Sequence, residues 1–201
     1  MGMDPHTVVT MSLLWGGGGG GGAAGARRTG AGGSPPAGGG AARREARRLL
    51  DAAAPSPTGV AAVVPHAGWV YSGATAARSI ASLPAAARRV ILLGPSHRVR
   101  FAGAALPDPS VAAFASPTGA VALDLDVVRA LRRSPAFRGP AAAHDGEHCL
   151  EVQLPLLQAR MPQATLVPIL VGVDTDADEA VAIARSVASH LDAGTVVVVS
   201  S

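Results

Sequence analysis

The sequence predicts an α/β fold in which a mostly parallel sheet carries helices on both faces. Four apolar runs have the length of strands and do not alternate with polar residues, which is typical of strands buried on both sides. Segments with helical spacing separate these runs along the chain. Strands that alternate with helices favour a parallel sheet, because each crossover helix packs back onto it. The 201 residues suffice for one such domain.

The first half of the domain contains two helices and two strands. A short helix is predicted at Ala41–Ala54, and Pro55 ends it. The apolar run "GVAAVVPH", Gly59–His66, predicts a strand buried on both faces, and the run of small residues at Gly73–Leu83 predicts a helix. The segment "RRVILLGPSH", Arg88–His97, is the second buried strand.

The second half begins less regularly. A strand is predicted at Ala102–Leu106, and "PDPS" and "SPTG" predict turns because Pro, Asp, Ser and Gly favour turn geometry. Helical patterns cover Leu125–Arg133 and Glu147–Arg160, the latter with Pro155 as a kink. Two further buried strands enclose a helix with an acidic first turn: strand Thr165–Gly172, helix Asp176–Leu191 and strand Thr195–Ser201.

Residues 1–40 are predicted to be a disordered leader rich in Gly, Ala and Arg, and residues 41–201 to form the α/β domain. Between Gly16 and Gly40 the chain has almost only small residues and Arg, including the unbroken run Gly16–Gly22. Such a segment has too little apolar surface to offset the entropy lost on ordering.

Charge and cysteine content exclude several classes of function. All 17 basic residues are Arg, and residues 1–48 carry a net charge of +4 (6 Arg against 2 acids), which leaves −1 for the rest of the chain (11 Arg against 12 acids). The predicted domain therefore has no strong field for nucleic acid. No apolar run approaches the ~20 residues of a membrane span. A single cysteine, Cys149, fits a reducing compartment, so we expect a cytoplasmic protein.

Two histidines end the first two buried strands. Ligands gather at the carboxyl ends of strands in parallel sheets, so His66 and His97 would lie on one rim if their strands are neighbours. Two imidazoles within reach of one ion suit iron, copper, zinc or nickel. Taken singly, each histidine is more often a hydrogen-bonded structural residue, and it is the matched placement of the two that favours a metal site.

Four motifs occur together in the order "VVPHAGWVYSG", "ILLGPSH", "EHCLEVQLP" and "LVPILVG". In their residues and their order, these motifs resemble those of the Memo family, also described as AmmeMemoRadiSam system protein B. That family is similar in fold to the class III extradiol dioxygenases, which use non-haem iron. The resemblance implies that His66 and His97 are metal ligands and that the metal is iron or copper. By family association it also implies AMMECR-like and radical-SAM proteins as partners, besides an unknown small molecule or peptide.

The sequence departs from the family pattern at its C-terminal end. The family continues its last strand into an Asp-Phe-x-His segment and supplies a third ligand, a cysteine, further on. Cys149 lies in "EHCLE" and is not its counterpart. We therefore expect a truncated chain with an incomplete fold, an unpaired sheet edge beyond Thr195–Ser201, and poor metal binding without dioxygenase turnover.

Four further residues are candidates for substrate binding or for support of the metal ligands: Ser96, Glu147, His148 and Glu151. Ser96 precedes His97, although no G-x-S-x-G nucleophile motif is present. If Glu147–Arg160 is helical, His148 and Glu151 share a face and could move protons at the site. Alternatively, Glu147 complements the helix dipole and His148 is exposed to solvent.

Three functions remain compatible with the sequence. The first is a metal-dependent redox enzyme related in chemistry to the extradiol dioxygenases. The second is a non-catalytic signalling protein that binds phosphotyrosine-containing peptides, as described for some Memo relatives. The third is a nonfunctional fragment. The presence or absence of a third metal ligand distinguishes the first from the other two.

Overall fold

The computed structural model describes residues 7–10, 39–53 and 59–201. Five helices and eight strands lie within these ranges, together with two short 3₁₀ turns, Ala141–His144 and Glu151–Gln153. The helices and strands in chain order are β1 Thr7–Thr10, α1 Gly39–Ala53, β2 Ala61–Val64, α2 Trp69–Ala81, β3 Arg89–Pro95, β4 Ala104–Ala105, β5 Val111–Ser116, β6 Gly119–Ala122, α3 Leu125–Leu131, α4 Leu154–Arg160, β7 Thr165–Val171, α5 Ala177–Ala188 and β8 Thr195–Ser200.

Five strands form the main sheet in the order β2-β8-β3-β7-β4. The four longer strands are parallel, and only the two-residue β4 runs antiparallel, against β7. Strands β3 and β7 pair over seven residues each, from Arg89 opposite Thr165 to Pro95 opposite Val171. The predicted α/β fold with a mostly parallel sheet is confirmed.

Helices cover both faces of the main sheet. Leu92 of β3 packs into a core built with residues of α1, α2 and α4. Its neighbour Ile91 points to the opposite side, where it packs with residues of α3 and α5. Successive residues of a strand face opposite sides, so one apolar run fills both cores. This explains why β3 and β7 carry no polar alternation.

Two expectations about strand positions are wrong. Strand β2 is a border strand of the main sheet rather than one buried on both faces: Val64 is fully buried, but the side chain of Val63 is 65% exposed. Strand β8 lies between β2 and β3 and is paired on both sides, so it does not form the expected unpaired edge. An apolar run does not reveal which neighbours a strand obtains, because strand order is decided by crossover connections.

A second sheet has the order β1-β5-β6. Strands β5 and β6 form an antiparallel hairpin that ends with Ser116 opposite Gly119, which confirms the turn predicted at "SPTG". Gly119 adopts a φ of +121°, a conformation that glycine tolerates best. The two strands were not predicted, because their alanine-rich sequences have weak strand propensity.

The predicted leader overlaps two ordered elements. Thr7–Thr10 form β1, which pairs in parallel with β5, and β-branched Thr and Val favour this conformation. Gly39 and Gly40 begin α1. Secondary structure is thus described at Thr7–Thr10 and at the first two residues of α1, inside the predicted leader. Residues 1–6 and 11–38 lie outside the described part of the chain, where the prediction stays untested.

The helix predicted at Glu147–Arg160 is shorter than expected. Residues 147–150 are not helical, Glu151–Gln153 form a 3₁₀ turn, and α4 begins at Leu154. Pro155 lies in the first turn of α4, where its missing N–H costs no helical hydrogen bond. The proline therefore marks the start of the helix and not a kink within it.

Within the described residues, no helix combines the length and the apolar character that a membrane crossing requires.

Candidate functional site

The two predicted metal ligands lie close together at the carboxyl edge of the main sheet. His66 follows β2 and His97 follows β3, and the centroids of their rings are 5.1 Å apart with an interplanar angle of 83°. Their strands are not neighbours as supposed, because β8 lies between them. Parallel strands nevertheless end at the same edge, and both loops turn toward the end of β8. The structure thus brings together the pair that the sequence singled out.

Glu147 supports His97 from an irregular segment before the second 3₁₀ turn. One of its carboxylate oxygens, Oε2, accepts the backbone N–H of His97 at 2.8 Å. The other, Oε1, lies 3.1 Å from His97 Nδ1 and accepts the backbone N–H groups of His148 at 2.9 Å and Cys149 at 3.2 Å. Only 2% of the residue is exposed. Four N–H groups thus converge on Glu147, which fixes the position of His97. The alternative role as a helix-dipole partner does not apply, because residues 147–150 are not helical.

The ionisation of Glu147 follows from these contacts. Burial alone raises the pKa of a carboxyl group, but the hydrogen bonds from His97, Cys149 and His148 outweigh burial and hold the pKa of Glu147 below its usual value. Glu147 is therefore a carboxylate at neutral pH and only accepts hydrogen bonds. It follows that His97 Nδ1 carries the hydrogen in this contact.

His66 is held by two residues that the sequence analysis did not identify. Ser200 Oγ, at the end of β8, lies 3.3 Å from His66 Nδ1. Gln153 Nε2 donates to Ser200 Oγ at 3.1 Å and to the carbonyl of Pro65 at 3.0 Å. Gln153 stands in the quoted motif "EHCLEVQLP", and the signal that could have identified Ser200 is its position at the end of an apolar strand.

The pKa of His66 is lowered, first by burial and then by the proximity of His97. Hydrogen bonding to Ser200 and the negative charge of Glu147 act in the opposite direction. The net effect keeps the imidazole of His66 neutral at pH 7, which is the form that binds metals.

Three of the other candidates are also located at this edge. His148 Nδ1 lies 3.4 Å from Glu151 Oε2, although the helix expected to pair them is absent, and Arg98 Nη2 lies 3.0 Å from His148 Nε2. Glu151 is buried. Ser96 is buried as well, and its hydroxyl donates to the carbonyl of Val99 at 2.8 Å, so its clearest role is to fix the loop that carries His97.

Cys149 lies behind the histidines. One potential ligand atom each of His97, Glu147 and Cys149 lies within 4.8 Å of the others. The Cys149 thiol donates to the carbonyl of Pro95 at 3.2 Å. Burial, followed by the negative charge of Glu147, raises the pKa of Cys149 far above its usual value. The thiol is therefore neutral and is a poor ligand as it stands.

The glycine of the "GPSH" motif has a packing role. A Cβ atom at Gly94 would lie 2.6 Å from Cys149 Sγ and 2.8 Å from Leu150 Cδ2. Only glycine allows this close approach between β3 and the segment that carries Glu147. The motif thus places Glu147 within reach of His97.

An open cavity of about 740 Å³ lies in front of the histidines. Its walls are mostly apolar, and His66, His97, Ser200 and Arg100 supply polar groups. A concave apolar surface with a few converging polar groups is typical of small-molecule sites.

The comparisons with known proteins agree with the motifs. The family model for Memo-like protein matches residues 29–201. A MEMO1 family protein of Archaeoglobus fulgidus is 37% identical over 130 residues, which cover 64% of this chain and 47% of the relative. Protein MEMO1 of Mus musculus is 30% identical over 125 residues, which cover 59% of this chain and 41% of the relative.

A MEMO1 family protein of Ignicoccus hospitalis is 36% identical over 117 residues, which cover 56% of this chain and 40% of the relative. The chain thus spans less than half the length of these curated relatives. The family model, by contrast, covers most of the chain. On this evidence, the chain belongs to the Memo-like protein family.

Proposed function

We propose that the chain binds one transition-metal ion between His66 and His97 and that this ion serves redox chemistry on a small molecule in the adjoining cavity. One observation carries the proposal: the Nδ1 atoms of both rings already have hydrogen-bonding partners, Ser200 for His66 and Glu147 for His97. Metal-binding histidines characteristically use their second nitrogen in this way, which leaves Nε2 as the ligand atom. The two imidazoles also lie within reach of one ion, with ring centroids 5.1 Å apart.

The donor set fits iron or copper, because neutral imidazole suits both ions. The nearest further donors are less suitable. Both oxygens of Glu147 already accept hydrogen bonds, and the Cys149 thiol is neutral and donates to a carbonyl group. Two imidazoles alone give a weak site, since metal sites in proteins generally have three or four protein ligands. Weak binding is therefore part of the proposal.

A bound ion would supply Lewis-acid or one-electron chemistry at the positions that the protein leaves open. The chain's own residues orient the two rings, through Glu147 and Ser200, and shield one side of the substrate with the apolar walls of the cavity. His148 and Glu151, in contact at the same edge, are the candidates for holding a proton.

Metal binding is tested by equilibrium dialysis of the 201-residue chain against Cu(II) and, without oxygen, Fe(II). We expect at most one ion per chain, with at least tenfold weaker binding in His66→Ala and in His97→Ala. His190→Ala is the matched control, because His190 lies after α5, near the opposite edge of the sheet. Equal binding by all four proteins would contradict the proposal.

A second candidate function is binding of an anionic peptide or small molecule without catalysis. The observation in its favour is Arg100, an exposed guanidinium that lines the same cavity and pairs with Asp174. Phenyl phosphate is a suitable probe. Metal-independent binding that is lost in Arg100→Ala would favour this function over the metal site.

A further inference from the structure

Gln153 and Ser200 form a buried hydrogen-bond network behind His66. Each residue is only 1% exposed, so neither can exchange its partners for bulk water. The network joins the end of β8, the 3₁₀ turn before α4 and the residue that precedes His66. Because buried polar groups need partners, the hydrogens in this network have few possible arrangements.

The direction of each hydrogen bond follows from groups that have no hydrogen to give. The carbonyl of Pro65 only accepts, so the nitrogen of the Gln153 amide must face it, and the second N–H of that nitrogen points to Ser200 Oγ. The carbonyl of Cys149 lies 2.6 Å from Ser200 Oγ and also only accepts. The single hydroxyl hydrogen of Ser200 is therefore used on Cys149.

Ser200 consequently offers His66 a lone pair and no hydrogen. The 3.3 Å contact between Ser200 Oγ and His66 Nδ1 is a hydrogen bond only if Nδ1 carries the hydrogen. We infer that Ser200, oriented by Gln153, is a positioning residue that holds neutral His66 as its Nδ1–H tautomer and leaves the Nε2 lone pair facing the site. Glu147 acts in the same way on His97.

The use of this tautomer for metal binding rests on the proposed function, but the tautomer itself does not. A histidine side chain in water favours the opposite, Nε2–H tautomer, whose ligand atom would be Nδ1. At His66, Nδ1 is already engaged by Ser200 Oγ. Without the network, His66 would therefore have to rearrange before it could bind an ion.

Nitrogen chemical shifts of the imidazole rings test the inference in the metal-free 201-residue chain. At about pH 8.5, well above the ordinary pKa of a histidine side chain, wild-type His66 should show the Nδ1–H pattern. Ser200→Ala should shift it toward the Nε2–H pattern, and Gln153→Met should cause a smaller shift in the same direction. Ser189→Ala, at the end of α5, is the matched control and should change nothing.

Wild-type His66 in the Nε2–H form would overturn the inference, and so would an unchanged tautomer in a folded Ser200→Ala protein. If Ser200→Ala does not fold, the tautomers of His66 in the wild-type chain and in Gln153→Met decide whether the inference holds. Weaker Cu(II) binding in Ser200→Ala, by about 10–100-fold, would extend the result to the metal. An Nδ1–H signal in a chain that binds no metal would support the inference and contradict the proposed function.

Discussion

Replacement of Glu147 by Gln tests whether this carboxylate organises the site. Glu147 is 2% exposed and receives N–H groups from His97, His148 and Cys149, four in all because His97 supplies two. A glutamine keeps one acceptor oxygen. If that oxygen takes the place of Oε1, the amide NH₂ group faces the backbone N–H of His97. In the opposite orientation the NH₂ group takes the place of Oε1 and faces three N–H donors.

The cost can be estimated from these contacts. One buried donor without an acceptor costs about 1–3 kcal/mol, and the remaining hydrogen bonds weaken because they lose the help of a negative charge. Relief from burying a charge offsets part of this loss. We expect Glu147→Gln to lower the free energy of unfolding by about 2–4 kcal/mol.

Urea unfolding followed by circular dichroism at pH 7 measures this difference. Glu45→Gln is the matched control: Glu45 forms an exposed i,i+3 pair with Arg48, and its replacement should cost less than about 1 kcal/mol. A loss below about 1 kcal/mol for Glu147→Gln as well would refute the reasoning that four donors depend on this carboxylate.

Two further predictions concern the core around the site. His144 is 4% exposed, and burial lowers its pKa from 6.5 to about 4. Between pH 6.5 and pH 4, this side chain therefore takes up a proton in the unfolded chain but not in the folded one. The free energy of unfolding should therefore fall by about 3 kcal/mol as the pH drops from 6.5 to 4. In His144→Leu the urea midpoint should depend less on pH. Equal pH dependence of the midpoint in the two proteins would contradict this account. Gly94→Ala should lower the stability of the fold by about 1–3 kcal/mol, because the new methyl group overpacks against Cys149 and Leu150. Thermal melts should show that the double variant Gly94→Ala/Cys149→Ala recovers part of this loss. Additive effects of the two substitutions would speak against the contact.

Much of the fold could be predicted because its signals are local. The alternation of apolar runs and helical patterns sufficed for the parallel sheet, and the acidic start of the α5 segment marked a helix whose first turn forms a capping box between Asp176 and Glu179. Strand order was not predictable in this way. The insertion of β8 between β2 and β3 depends on contacts between distant parts of the chain, which a single sequence does not encode as a local pattern.

The candidate site shows the same division. His66 and His97 stood out because each follows an apolar run with the length of a strand, a position that can be found from the sequence. Glu147 was identified as a candidate, but its part in orienting His97 depends on an irregular loop that sequence patterns describe poorly. Gln153 and Ser200 were missed because a buried glutamine and a serine at a strand end are common residues, and only their partners in space give them a role.

The central claim is that His66 and His97 hold one ion together through Nε2. Pulsed electron paramagnetic resonance of the Cu(II)-loaded 201-residue chain tests it most directly, because the modulation from the remote imidazole nitrogens counts coordinated histidines. We predict two histidines in the wild-type chain and one in each of His66→Ala and His97→Ala, with Cu–N distances of about 2.0 Å by X-ray absorption. A signal from fewer than two histidines in the wild-type chain, or one that neither substitution changes, would contradict the claim.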